Sequence, residues 1–173
     1  MRLTLVLLAG WLLSSGLLAV EPCRIEVIEK GTQWPVPGVE LRTVHGVRLI
    51  SDNAGVIAFD LPELMGQETW FTVSGHGYGV KADGFGYKGV RLRPEPGKKL
   101  TVTVDRRILA QRLGRLTGAG LFAESHKLGE HLDWRDGPVV GCDSIVNARF
   151  GGKQFWFWGD TKLSNYPLGI FNV

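Results

Sequence analysis

Turn-forming residues punctuate this chain too often for a helical fold. Of its 173 residues, 24 are glycine and 8 are proline, in no collagen-like period. Breaks at this frequency favour many short elements joined by tight turns over a helix bundle. After Pro22 the residues between breaks carry a period of two. Ile25 and Val27 alternate with Arg24 and Glu26, and Val39, Leu41 and Thr43 alternate with Glu40 and Arg42, as in half-buried strands. Trp34-Pro35-Val36-Pro37-Gly38 interrupts them, since two prolines remove ladder donors and Gly38 frees the turn. Ser51-Asp52-Asn53-Ala54-Gly55 reads as a hairpin turn between Val47–Ile50 and Val56–Phe59. Asp52 and Asn53 fold onto the backbone there, and Gly55 accepts a positive φ. Trp70–Val73, ended by Gly75-His76-Gly77-Tyr78, then Val90–Leu92 and Leu100–Val104 complete the set. The expectation is a mainly β chain with a β-sandwich over residues 23–105.

Composition narrows the function classes. The formal charge of +3, from 20 basic against 17 acidic residues, is too even for an electrostatic nucleic-acid binder. With 44% hydrophobic and 21% charged residues the chain is not disordered. Two cysteines cannot staple a disulfide-dense miniprotein, and their spacing makes no zinc site. Neither a phosphate-cradling glycine loop nor a serine-nucleophile elbow is present: Gly75-x-Gly77 and Gly84-x-Gly86 lie between strands, and Ser74 and Ser125 lack the G-x-S-x-G context. No cofactor is implied.

Residues 1–20 read as an address. Met1-Arg2 is basic, Leu3 to Val20 is apolar apart from Thr4, Ser14 and Ser15, and small residues precede a polar chain. That is the layout of a secretory signal helix, with cleavage near Ala19. The rival is an uncleaved anchor, the run being close to the ~20 residues a bilayer requires. Either reading implies export to the cell envelope, the periplasm or the medium, with membrane contact only through this segment.

The motifs Pro35-Val36-Pro37-Gly38-Val39-Glu40-Leu41, Ser51-Asp52-Asn53-Ala54-Gly55-Val56-Ile57-Ala58-Phe59, Leu61-Pro62 and Val73-Ser74-Gly75-His76-Gly77-Tyr78 occur in an ordered series. In this order they resemble the carboxypeptidase regulatory-like domains, a transthyretin-like (prealbumin-like) family. The resemblance implies a seven-stranded Greek-key sandwich that stabilises or positions a neighbour, or binds carbohydrate, without catalysing a reaction. The stretch Gly79–Gly89 departs from the family in its length and carries Phe85 and Tyr87. These aromatics, with Tyr78 and Trp70 nearby, would stack on the sugar rings of a polysaccharide; the alternative, favoured by the sequence, is packing over the sandwich end.

Residues 106–137 read as a linker with a short helix. Ile108, Leu109, Arg112, Leu113 and Leu116 fall near one helical face, with Arg106, Arg107, Gln111 and Arg115 mostly on the other. The arginines could attract phosphate or an anionic glycan, or form a solvated face, which is the favoured reading. His126 and His131 flank Glu130 but lack the H-E-x-x-H spacing, so no metal site is expected.

Residues 138–173 read as a partial β-meander. Phe155 and Phe157 face one way and Trp156 and Trp158 the other, so this strand is apolar on both faces and needs cover on both. The residues after it are too few to cover it, and a truncated gene or a fragment of a longer protein is expected. Gly141-Cys142-Asp143-Ser144 followed by Phe155-Trp156-Phe157-Trp158-Gly159-Asp160-Thr161 is similar to the first blade of secreted five-bladed, glycosidase-like β-propellers. That resemblance implies a catalytic or sugar-binding carboxylate at Asp143, a structural turn at Asp160, and the chain's own C-terminal propeller domain as partner. Glycoside hydrolysis needs a second carboxylate, and the remaining residues offer none in the context of a later blade. An exported chain also permits a disulfide between Cys23 and Cys142, tying one module to the next.

The leading expectation is therefore a non-catalytic exported accessory sandwich at the front of a larger, carbohydrate-active protein. The alternatives are a carbohydrate-binding module, or the N-terminal fragment of a propeller glycosidase or lyase acting through Asp143.

Overall fold

A computed structural model of the chain describes residues 20–115, 123–134 and 139–163. The expected signal helix and the last ten residues lie outside these. Among the described residues no α-helix is present, and no helix is long and apolar enough to cross a membrane.

Eight strands precede Arg107: β1 (Cys23–Glu29), β2 (Glu40–Thr43), β3 (Arg48–Ile50), β4 (Val56–Phe59), β5 (Thr69–Ser74), β6 (Tyr78–Gly79), β7 (Gly89–Leu92) and β8 (Lys99–Arg106). They form two four-stranded sheets, ordered β4-β1-β8-β6 and β3-β2-β5-β7. In the first, β1 runs parallel to β8 and antiparallel to β4; the second is antiparallel throughout. The extra strand relative to expectation is β6. Its two residues are too few for a periodic signal, yet they pair with Asp105 and Arg106.

The period-two pattern does the predicted work. Cys23, Ile25, Val27, Val102 and Val104 of one sheet and Leu41, Phe71 and Val73 of the other are buried in one core cluster. Phe59 and Phe71 meet edge to face with centroids 5.9 Å apart, an arrangement worth about 1 kcal/mol beyond the area it buries. Glu29 is also buried, 3.2 Å from Arg106, and accepts a long hydrogen bond from the Tyr78 hydroxyl.

Several local expectations need correction. The turn at residues 51–55 has the anticipated chemistry: Asp52 Oδ1 accepts from the amides of Ala54 and Val56, and Gly55 has φ +69°. However, β3 and β4 do not pair. The turn carries the chain from the edge of one sheet to the edge of the other. All four β4 residues are buried, because the 3-10 turn Glu124–Leu128 packs against that strand.

Residues 107–115 are not helical. Their backbone donors go elsewhere: Arg107 N–H to the Gly77 carbonyl, Arg112 N–H to the Tyr78 hydroxyl and Arg115 N–H to Asn53 Oδ1. These tertiary bonds replace the i to i−4 ladder that the apolar spacing suggested. The segment is a strap across the sandwich, and the helical element lies further on, at Glu124–Leu128.

Beyond it, β9 (Val139–Cys142), β10 (Val146–Phe150), β11 (Lys153–Phe157) and β12 (Thr161–Leu163) form a single long antiparallel ribbon rather than a meander. Cys142↔Thr161, Val146↔Phe157 and Phe150↔Lys153 keep one register. Gly151 and Gly152, both at positive φ, close it with a two-residue turn that matches strand twist. Directly opposed residues share a face, so Val146, Ala148, Phe150, Phe155 and Phe157 line one side with Lys153 at its tip, while Trp156 shares the other with Asn147, Arg149 and Gln154. The ribbon's apolar side chains are therefore concentrated on one face, and Trp156 stands among polar neighbours on the other.

Candidate functional site

The outer face of the β3-β2-β5-β7 sheet carries the candidate site. Burial of Thr69, Phe71 and Val73 turns Trp70, Thr72 and Ser74 outward along β5. The register then sets Arg91 beside Trp70, Gly89 and Arg42 beside Thr72, and Glu40 beside Ser74.

At one end of this face, Val44, Trp70, Thr72 and Arg91 line a groove of about 480 Å³ closed by Asp83, Phe85 and Tyr87. Phe85 is 87% exposed and Tyr87 66% exposed, so these aromatics do not pack over the sandwich end as the sequence suggested. The loop is nevertheless ordered by its own hydrogen bonds. Asp83 Oδ1 accepts from the amides of Phe85 and Tyr87, each at 2.9 Å, and the Asp83 amide donates to the Tyr87 carbonyl. Gly86 supplies the positive φ that the turn requires. Trp70 is half-buried, its indole lying across the backbone at Gly89, where a Cβ would strike the ring. The result is three aromatic side chains on a rigid base beside a guanidinium.

At the other end, Gly38, Glu40, Arg48, Ile50 and Ser74 surround a second cavity of about 440 Å³, with Gly75, His76, Arg112 and Arg115 on its rim. Glu40 holds Arg48 at 2.6 Å and Arg42 at 3.5 Å. Arg112 Nη1 donates to the Pro37 carbonyl at 3.2 Å, fixing that side chain over the turn. Burial, and then the neighbouring Arg112 charge, pushes the Arg115 guanidinium below its ordinary pKa. Sequence reasoning placed Arg112 and Arg115 on opposite faces of a helix and did not single out Arg48; the strap brings the first two to the cavity beside β3.

The remaining candidates fall elsewhere. Tyr78 is 3% exposed. It is a core residue whose hydroxyl donates to Glu29 and accepts from Arg112 N–H, and it cannot serve as a sugar platform. Asp143 is exposed on the ribbon, where its Oδ1 accepts from the Ser144 amide at 2.6 Å. That bond accompanies a positive φ at Ser144. Asp160 sits opposite: its carbonyl accepts from the Asp143 amide, and Thr161 rather than Asp160 supplies the local side-chain bond, to the Gly159 carbonyl. Gly159-Asp160 is thus a bend between β11 and β12 within the ribbon, where the sequence led us to expect a structural turn. Cys23 and Cys142 are both free thiols, the first buried in the core and the second on β9. His126 Nε2 bonds the His131 carbonyl, and His131 stacks on Trp134. Among the described residues no cluster of three potential metal ligands occurs. Comparison with protein-family models, with curated proteins and with solved structures gave no match.

Proposed function

We propose that this chain is an exported, non-catalytic accessory domain of the transthyretin-like, carboxypeptidase regulatory-like type, and that it holds a polysaccharide on the Trp70–Phe85–Tyr87 groove. The observation that carries the reading is the exposure of Phe85 and Tyr87 on a loop pinned by Asp83. Exposed aromatics lose contact with neither core nor cover when a sugar ring stacks on them, and a pre-ordered loop limits the entropy lost on binding. Arg91 and Thr72 supply polar partners for hydroxyl groups at the same groove.

The accessory role also draws on the N-terminal signal pattern, which supports export, and on the sequence resemblances, which support a position ahead of a larger carbohydrate-active protein. Catalysis through Asp143 is less well supported: its carboxylate is exposed and engaged with a turn amide, and glycoside hydrolysis requires a second carboxylate across the bond.

Affinity electrophoresis of the full chain through gels containing neutral and acidic polysaccharides tests the proposal. Retardation by at least one glycan, reduced in Tyr87→Ala and Phe85→Ala, is expected. Migration unchanged by every glycan contradicts it.

A further inference from the structure

Asp83 has one carboxylate oxygen to spare. Its Oδ1 accepts the amides of Phe85 and Tyr87, while its own amide and carbonyl bond the Tyr87 carbonyl and the Gly86 amide. Among the described residues Oδ2 accepts no hydrogen bond, and no cation lies within ion-pairing distance of Asp83. The same residue lines the groove with Trp70, Thr72, Phe85 and Tyr87. An ionised carboxylate is an acceptor only, with room for about two donors on each oxygen. The oxygen that the loop does not use is therefore a strong acceptor set beside the exposed rings.

The charge balance of the groove says what that acceptor meets. Its other charged lining residue is Arg91, whose guanidinium pairs with Glu68 at 3.2 Å. Both partners are exposed, so the pair adds little stability, but it compensates the cation. The charge left over at the groove is the negative one of Asp83. An anionic sugar would bring a like charge against it. A neutral sugar stacked by its apolar face keeps its hydroxyl donors at the ring edge, where a neighbouring carboxylate can accept them. Hydrogen bonds to an ionised acceptor are about twice as strong as those between neutral groups.

We propose that the polysaccharide is neutral and that Asp83 determines this specificity: Oδ1 positions Phe85 and Tyr87, and Oδ2 accepts hydroxyl groups of the sugar stacked on them. This rests on the glycan-binding reading above and adds the ligand's charge and the residue that selects it. A uronate or a sulfate ester in the same place sets a second anion against Asp83 and leaves Oδ2 with fewer donors. Discrimination thus comes from repulsion of the wrong ligand as well as attraction of the right one.

The full chain is titrated with dextran, galactan, mannan and a soluble β-glucan, each beside carboxymethyl and hydroxyethyl derivatives of equal substitution. The hydroxyethyl group carries similar bulk without the charge. At least one neutral polymer should bind, and its carboxymethyl derivative should bind on the order of tenfold more weakly than its hydroxyethyl derivative. Asp83→Asn keeps an Oδ1 able to hold the Phe85 and Tyr87 amides but puts a donor in place of Oδ2. It should weaken the neutral polymer on the order of tenfold, the scale of a hydrogen bond to a charged group, and narrow the gap between the two derivatives. Unmoved Phe85 and Tyr87 amide resonances in the variant show that the loop is retained; where they move, the comparison of derivatives with the parent chain decides alone. A carboxymethyl polymer bound as tightly as its hydroxyethyl counterpart, or neutral affinity unchanged in Asp83→Asn, overturns this inference and leaves the glycan reading standing. No binding of any polymer, neutral or charged, sinks the glycan reading itself.

Discussion

Asp52 and Ser125, 73 positions apart in sequence, are both fully buried and hydrogen-bonded to each other. The amide and the hydroxyl of Ser125 both donate to Asp52 Oδ2, while Oδ1 receives the amides of Ala54 and Val56. One carboxylate therefore fixes the turn between the sheets and anchors the segment that covers β4. Glu124 adds to the seal by accepting the Ala58 amide, and Lys127 by pairing with Asp60.

Ser125→Ala removes a hydroxyl bonded to a buried carboxylate. It should cost about 1.5–3 kcal/mol in urea unfolding, the usual range for hydrogen bonds to charged groups. Asp52→Ala should cost more, because it strands the Ala54, Val56 and Ser125 amides. A Ser125→Ala variant as stable as the parent would mean that the segment does not close the sandwich edge.

Much of this architecture was legible in the sequence, and its gaps share a cause. Strands β1 and β2 announce themselves because a sheet with one buried face imposes a period of two, the other long strands show as short apolar runs between breaks, and the 51–55 turn is visible through Asp52 and Gly55. The Asp52–Ser125 bond has no local signature, since neither residue's neighbours specify a partner so far along the chain. For the same reason the apolar spacing of residues 108–113 reads as helix: only the folded sandwich presents the Tyr78 hydroxyl and Asn53 that draw off its amides. Tyr78 and Tyr87 look alike as loop aromatics, but pairing with β8 buries the first and the Asp83 turn exposes the second.

Glu26 should confer acid sensitivity. Burial alone would raise its pKa, but hydrogen bonds and charge from Lys99 and Arg24 outweigh that and hold it below the ordinary 4.5. A carboxyl depressed on folding contributes its stability in full above the unfolded value and loses it as pH falls through the folded one. Acidification below pH 4.5 should therefore destabilise the parent more than Glu26→Gln, as read from unfolding midpoints across pH. Parallel losses in the two proteins would contradict the pairing.

The cysteines should differ in reactivity. Burial pushes the Cys23 thiol up, with a backbone hydrogen bond from Glu95 only partly opposing it, whereas Cys142 is partly exposed. A thiol-reactive chromophore should label one cysteine quickly in native protein and the second only on denaturation. Absence of labelling even in denaturant without reductant would instead indicate a Cys23–Cys142 disulfide.

Gly89 should be intolerant of a side chain. A Cβ there meets both the Trp70 ring and the Phe71 carbonyl, so Gly89→Val is expected to displace the indole at a cost of about 1–3 kcal/mol. A changed tryptophan fluorescence spectrum together with weaker glycan retention would fit; an unchanged spectrum and unchanged stability would not.

Nuclear magnetic resonance mapping of a glycan titration tests the central claim most directly. With a polysaccharide that retards the protein, the account predicts shifts concentrated at the Trp70 indole N–H and at the amides of residues 70–74 and 83–91, with the ribbon at residues 139–163 unmoved. Shifts centred on Asp143 and the ribbon, with the β5 face silent, would contradict it.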